Sequence, residues 1–286
     1  MDLRFERLKF ITAVVLYGTI GMILRAVNLP SEVVAMARGC IGSIFIILFM
    51  KMRHIPLNTR SIRRNFRLLL ISGILLGLNW VFLFAAYNVT TVAIAILCTY
   101  MAPLIVILVT PAVLHEKMNL KKLPCVGVAF VGIVLVSGVL GGGGGANLPG
   151  VLLGLAAAAC FVGIVLCNRK MEAISPYDKS LMQLALSAVT VLPYVLVRNG
   201  WSWVHTDLRS AMIVIMLGIV HTGFAYCLYF SGMGTLPVQT VAILGYLEPV
   251  VSVLCSALIL RERMTVLGWI GAVMILGAAV LSEVIE

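Results

Sequence analysis

The chain has 286 residues, of which 62% are hydrophobic and 11% charged, against about a quarter charged in an ordinary soluble domain. That composition excludes a soluble globule, and residues 68–114 and 123–168 contain no Lys, Arg, Asp or Glu at all. The formal net charge of +10 is dispersed between apolar runs and reads as a topology signal, not as a nucleic-acid surface.

A membrane-spanning helix needs about 20 mostly apolar residues. Long apolar runs without strict alternation favour helices over barrel strands, because lipid offers the backbone no hydrogen-bond partner. In chain order the spans fall near 8–27, 31–50, 68–86, 90–112, 123–140, 149–168, 180–197, 211–231, 236–258 and 265–282. This predicts an all-α membrane protein of ten transmembrane helices with no room for a soluble domain. The first span leads directly into a second without a small-residue cleavage motif, so it reads as a retained helix and not a removed signal.

Span two opens at Pro30-Ser31-Glu32 and span seven at Pro176-Tyr177-Asp178, where an acid in the first turn complements the helix dipole. Between spans two and three, residues 51–67 carry seven Lys, Arg or His and predict a surface loop or amphipathic helix, with anionic lipid as a second reading. The seven cysteines lie inside apolar spans and form no Cys-x-x-Cys pair, which predicts buried apolar side chains and neither metal nor disulfide. With the N-terminus cytoplasmic, that side holds fifteen basic residues against five opposite: Arg25, Arg198, Arg209, Arg261 and Arg263. The positive-inside bias predicts a multi-pass protein of the cell (inner or plasma) membrane with both termini cytoplasmic.

The chain also reads as one unit written twice. An offset of 146 residues pairs Pro30 with Pro176, Gly77 with Gly223, Tyr100 with Tyr246, Pro103 with Pro249, Glu116 with Glu262 and Met118 with Met264. The division is 1–140 and 149–286, joined by a glycine-rich linker over 141–148. Five spans per unit is an odd number, so the second must enter the membrane from the opposite side. That predicts two inverted repeats, a construction typical of transporters that open alternately to two sides.

Leu16-Tyr17-Gly18-Thr19 in span one, Arg38 in span two, Ala102-Pro103 with Glu116, and Glu248-Pro249 with Glu262, each ahead of a Gly-rich fifth span, carry a resemblance. The chain resembles the ten-span EamA-type members of the drug/metabolite transporter superfamily. The resemblance implies helices around a central cavity, spans five and ten packed at the side, and export or exchange of small metabolites.

Candidate site residues follow from polarity inside apolar runs. Pro103 and Pro249 free the carbonyls of Thr99 and Gly245, which predicts kinked helices flanking a midplane site, with plain packing kinks as the alternative. Glu248 is the one acid well inside a span and Arg38 the comparable cation. A coupling site and a structural Arg38–Glu248 pair are both open readings. Trp80, Phe84 and Tyr87 form a helical stripe matched by Tyr226, Phe230 and Met233, with Asn79 and His221 as polar neighbours. The expected substrate-binding set is Tyr17, Asn79, Trp80, Tyr100, His221, Tyr226, Gln239 and Tyr246. Glu116 and Glu262 read by default as interface ion pairs with their basic neighbours.

The expected activity is secondary transport of a small organic metabolite such as an amino acid, by alternating access. No cofactor, metal or nucleic acid is expected; the partners are a small-molecule substrate and the lipid bilayer, with a homodimer left open. An intramembrane enzyme acting on a lipid-like substrate would need clustered catalytic groups, and His54, His115, His205 and His221 are scattered. A channel would favour repeated polar rings, whereas Ala102 stands opposite Glu248 in the repeat. No Walker A sequence is present, so an ion or proton gradient, exchange or simple downhill flux must supply the drive.

Overall fold

The protein is described by a computed structural model covering residues 3–114, 120–136, 148–233, 236 and 238–285. Among these residues there is no strand. In chain order come α1 (Leu3–Leu24), α2 (Ser31–Met52), the short α3 (Thr59–Arg64), α4 (Phe66–Val89), α5 (Val92–Thr99), α6 (Ala102–Leu114) and α7 (Leu123–Val136). Then follow α8 (Leu148–Lys170), α9 (Pro176–Asn199), α10 (Leu208–Met216), α11 (Ala225–Met233), α12 (Val238–Gly245), α13 (Leu247–Leu254) and α14 (Val266–Val284). Seven stretches are long and apolar enough to cross a membrane, and three shorter apolar helices accompany them. The glycine-rich run 141–147, Glu116 and Met118 lie outside the described residues.

Helix starts follow local chemistry. The side chains of Asn58, Thr91, Ser175, Asp207 and Thr265 each accept a hydrogen bond from the backbone N–H three residues on, satisfying a donor the first turn cannot pair. Glu32, expected only as a start signal, also accepts from Asn199 Nδ2 at 3.0 Å and so ties the start of α2 to the end of α9. Asp178 is buried at the start of α9, its carboxylate oxygens without a hydrogen-bond partner among the described residues.

Three of the ten expected spans are interrupted. Span four divides into α5 and α6 at Tyr100–Met101, and span nine divides into α12 and α13 at Tyr246. Each break directly follows the residue four positions before a proline, Thr99 before Pro103 and Gly245 before Pro249, where the proline has no N–H to give. Span eight changes to a π-helix over Leu217–Phe224 between α10 and α11, and α13 runs into a second π segment at Cys255–Ile259.

The outside is apolar and the inside carries polarity, the reverse of a soluble fold. Val197, Leu208, Leu258 and Val273 are exposed, whereas Arg38, Ser72, Asn79, Gln183, His221 and Thr222 are buried. α4 packs against α8 and α9, α2 against α9 and the first π segment, and α1 against α11 and α13. α5 and α6 lie on α8, and α7 pairs with α14. The last pair meets backbone to backbone: a Cβ on Gly132 would stand 2.8 Å from the Gly271 carbonyl oxygen. Such close approach lets helices associate in lipid, where no hydrophobic driving force joins them.

Candidate functional site

Arg38 is the buried charge around which the site is built. It sits on α2 and is 3% exposed. Its guanidinium carbon lies 4.6 Å from the Trp80 ring and 5.3 Å from the Phe84 ring. Trp80, Phe84 and Tyr87, spaced four and three on α4, run as a stacked aromatic row with centroids 6.4 and 6.1 Å apart. A cation above aromatic faces gains about 2 kcal/mol when desolvated, against a cost of about 3 kcal/mol or more for a charge at mid-membrane. The rings therefore offset part of that cost. Arg38 Nε adds a hydrogen bond to Thr222 Oγ1 at 3.0 Å, while Thr222 donates its own proton to Leu217 O at 3.1 Å.

The wide π turn places His221 beside Thr222 with both side chains buried. Thr19 Oγ1 on α1 lies 3.1 Å from His221 Nε2 and 2.8 Å from Leu16 O. Among the described residues the other ring nitrogen, Nδ1, is buried without a partner.

Glu248 occupies the first turn of α13, where α1 approaches so closely that a Cβ on Gly18 would lie 2.7 Å from the Glu248 carbonyl oxygen. Its side chain lies within electrostatic range of Arg38 and of Tyr17, Tyr87, Tyr100, Tyr226 and Tyr229. None of the ion pairs among the described residues joins it to Arg38. The Tyr100 hydroxyl, at the break between α5 and α6, is 3.3 Å from the Gly245 carbonyl and within hydrogen-bond reach of the Glu248 carboxylate. The carbonyl freed by Pro249 thus gains a donor. Tyr100 and Tyr246 face each other across the two helix breaks at 6.0 Å, and Tyr17 meets Tyr226 edge-on at 5.9 Å.

Of the residues expected from sequence, Tyr17, Arg38, Trp80, Tyr100, His221, Tyr226, Tyr246 and Glu248 therefore converge on one region, with Pro103 and Pro249 beside the two helix breaks. Asn79 turns elsewhere: its Nδ2 donates to Ala157 O at 2.7 Å and fastens α4 to α8. Gln239 lies on α12, its side chain outside the described set. Thr19, Thr222 and Tyr229 join the group without having been singled out as site residues. Thr222 adjoins the expected His221, whereas Tyr229 has Leu83 as its repeat counterpart and carried no signal. Among the described residues no cluster of His, Cys, Asp and Glu is suited to hold a metal.

Polar ties close the bundle at both ends. At one end Arg25 pairs with Glu262 at 2.5 Å and donates to Thr90 O, while Glu262 accepts from Val92 N and Ser256 Oγ. The expected pairing of Glu262 with its neighbours Arg261 and Arg263 gives way to this inter-helix set, because the positive φ at Arg261 turns the chain and leaves Glu262 facing α1 and α5. A small cavity opens at the same end, lined by Arg25, Ser31, Phe84, Tyr87 and Asn88 among others. At the other end Lys9 pairs with buried Glu6, which also accepts from Ser231, and Arg64 pairs with Glu172.

An all-helical bundle with an apolar exterior and a polar, aromatic interior defines a multi-pass membrane protein. Residues 5–138 and again 148–283 match the EamA-like transporter family, and the chain belongs to that family, within the drug/metabolite transporter superfamily. Its transport of small metabolites and its place in the lipid bilayer follow. The chain is 26% identical over 279 residues to "Uncharacterized transporter YxxF" of Bacillus subtilis (strain 168), covering 97% of this chain and 89% of that relative. It is 28% identical over 261 residues to a "Probable amino-acid metabolite efflux pump" of Escherichia coli (strain K12), covering 87% and 84%. A solved crystal structure of a protein superposes with a TM-score of 0.67 at 22% identity, covering 97% of this chain and 96% of that one, a likeness of fold alone.

Proposed function

We propose that the protein is a secondary transporter that exports or exchanges a small organic metabolite such as an amino acid. It does so by alternating access between two inverted five-helix repeats, 1–140 and 149–286, with ten spans around a central cavity. The observation that carries this reading is the pair of opposite charges, Arg38 and Glu248, held in one aromatic chamber without contacting each other. A structural ion pair would have closed; two separated charges are available to a substrate or a proton.

Helix packing supports the inverted pair. Exchanging each span for its counterpart 146 residues away turns the α4–α8 contact into α11–α1, and the α4–α9 contact into the π segment on α2. The same exchange maps α6–α8 onto α13–α1 and α5–α8 onto α12–α1, and returns α2–α9 and α7–α14 to themselves. Both termini are assigned to the cytoplasmic side of the cell membrane by the excess of basic residues there. Export is favoured by the efflux role named for the Escherichia coli relative.

A thermal-shift screen of the purified protein against a metabolite panel, followed by liposome flux of each hit, tests the proposal. A ligand at a hundred times its Kd stabilises a protein by about 2.7 kcal/mol. At least one small metabolite is expected to raise Tm and to cross protein-containing liposomes saturably. Hits that bind and never cross would contradict transport.

A further inference from the structure

We infer that Arg38 and His221 together form a receptor for a substrate carboxylate and for a second hydrogen-bonding group on the same molecule. The inference rests on the transporter reading above and adds the chemistry of the ligand.

A guanidinium offers five N–H donors. Inside the protein only the Nε donor of Arg38 is used, at Thr222. The Nη groups have no hydrogen-bond partner among the described residues, and at 3% exposure the residue has little solvent to serve them. Trp80 and Phe84 occupy the face of the guanidinium, so its donor edge is what remains to be filled. A planar fork of donors matches a carboxylate in bidentate geometry. Glu248 lies within electrostatic range but makes no ion-pair contact, so no internal carboxylate takes that place.

His221 supplies the second half. Buried polar atoms are paired in about nine cases of ten, yet among the described residues His221 Nδ1 is an orphan in a residue 4% exposed. With Nε2 beside Thr19, Nδ1 is the ring nitrogen left for a hydroxyl or amino group from outside the chain. Arg38 lies within electrostatic range of His221, and Thr222, which accepts from Arg38 Nε, follows His221 on the π segment. Access is at hand: Phe84, one of the rings under Arg38, also lines the small cavity beside Arg25 and Asn88. The ligand is therefore a small monocarboxylate with an amino or hydroxyl group, its apolar part against the aromatic row. A phosphate would find one cation where it needs more.

The test uses the full-length protein with Trp201, Trp203 and Trp269 changed to Phe, leaving Trp80 as the single tryptophan reporter. It is titrated at constant ionic strength with 3-phenylpropionate, 3-phenylpropionamide, phenyllactate and inorganic phosphate. Both acids are expected to quench saturably, with the neutral amide at least tenfold weaker and phosphate without effect. Arg38→Lys should weaken the acids at least tenfold, and His221→Phe should erase the advantage of phenyllactate over 3-phenylpropionate. The acid-against-amide comparison needs no Arg38 variant, so a poorly folding variant does not remove the test. Equal binding of acid and amide, tighter binding of phosphate, or no saturable quenching by either acid would overturn the inference. Carboxylate binding without flux in liposomes would instead retain this receptor and contradict the transporter reading.

Discussion

Glu248 and Arg38 share a chamber without touching, and that spacing gives Glu248 a readable role. While ionised it balances the guanidinium across the tyrosine cluster; while protonated it leaves the Arg38 charge facing Tyr17, Tyr87 and Tyr226. A transport cycle that moves a proton through this carboxyl must change rate with pH. Glu248→Gln fixes the neutral form, so the variant is expected to transport with a flat pH profile while wild-type flux varies. A variant profile that follows wild type would make Glu248 structural. Both charges were legible in the sequence, because an ionised side chain in an apolar run is expensive enough to demand a reason. Asn79 shows the limit of that logic. A polar side chain in an apolar helix is equally satisfied by a neighbouring backbone carbonyl, here Ala157 O, and composition does not tell which way it turns.

At the scale of elements, helical class and the starts of α2 and α9 were readable from apolar length, Pro and acidic residues. The π segment at Leu217–Phe224 was not, since nothing in its composition distinguishes it from an α-turn, yet it carries the buried His221 and Thr222. Prolines marked where a donor is lost but not that Tyr100 reaches the freed Gly245 carbonyl, a contact between residues 145 apart in the chain. Helix association here depends on small residues, which gives a controlled comparison within α7. Gly132→Leu places a side chain against the Gly271 carbonyl, whereas Gly127 has nothing within 4 Å of an added Cβ. Overpacking of this kind costs about 1–3 kcal/mol. Thermal unfolding in detergent should show Gly132→Leu several degrees below wild type and Gly127→Leu close to it. Equal Tm values for the two variants would remove the α7–α14 contact from the account.

For the molecule as a whole, the proposed alternating access would have to exchange the polar ties at the two ends of the bundle. At the Arg25 end, Glu262 binds Arg25, directly after α1, and ties to α5 through Val92 N and to the second π segment through Ser256. At the opposite end Lys9, Glu6 and Ser231 join α1 to α11. Both sets use α1, so α1 is the element that would exchange one tie for the other as the chamber turns. The repeat raised the two-sided reading proposed above; the partner of Glu262 was not legible, because local charge suggested Arg261 and Arg263 while the folded chain brings Arg25 from 237 positions away. The central claim is therefore tested by holding the Arg25 end shut. In a background with the seven native cysteines replaced, Arg25→Cys and Glu262→Cys are bridged by a bifunctional maleimide, and liposome flux of a metabolite hit is measured before and after. The account predicts active transport by the unbridged pair and loss of flux on bridging. Undiminished flux through the bridged protein would contradict alternating access.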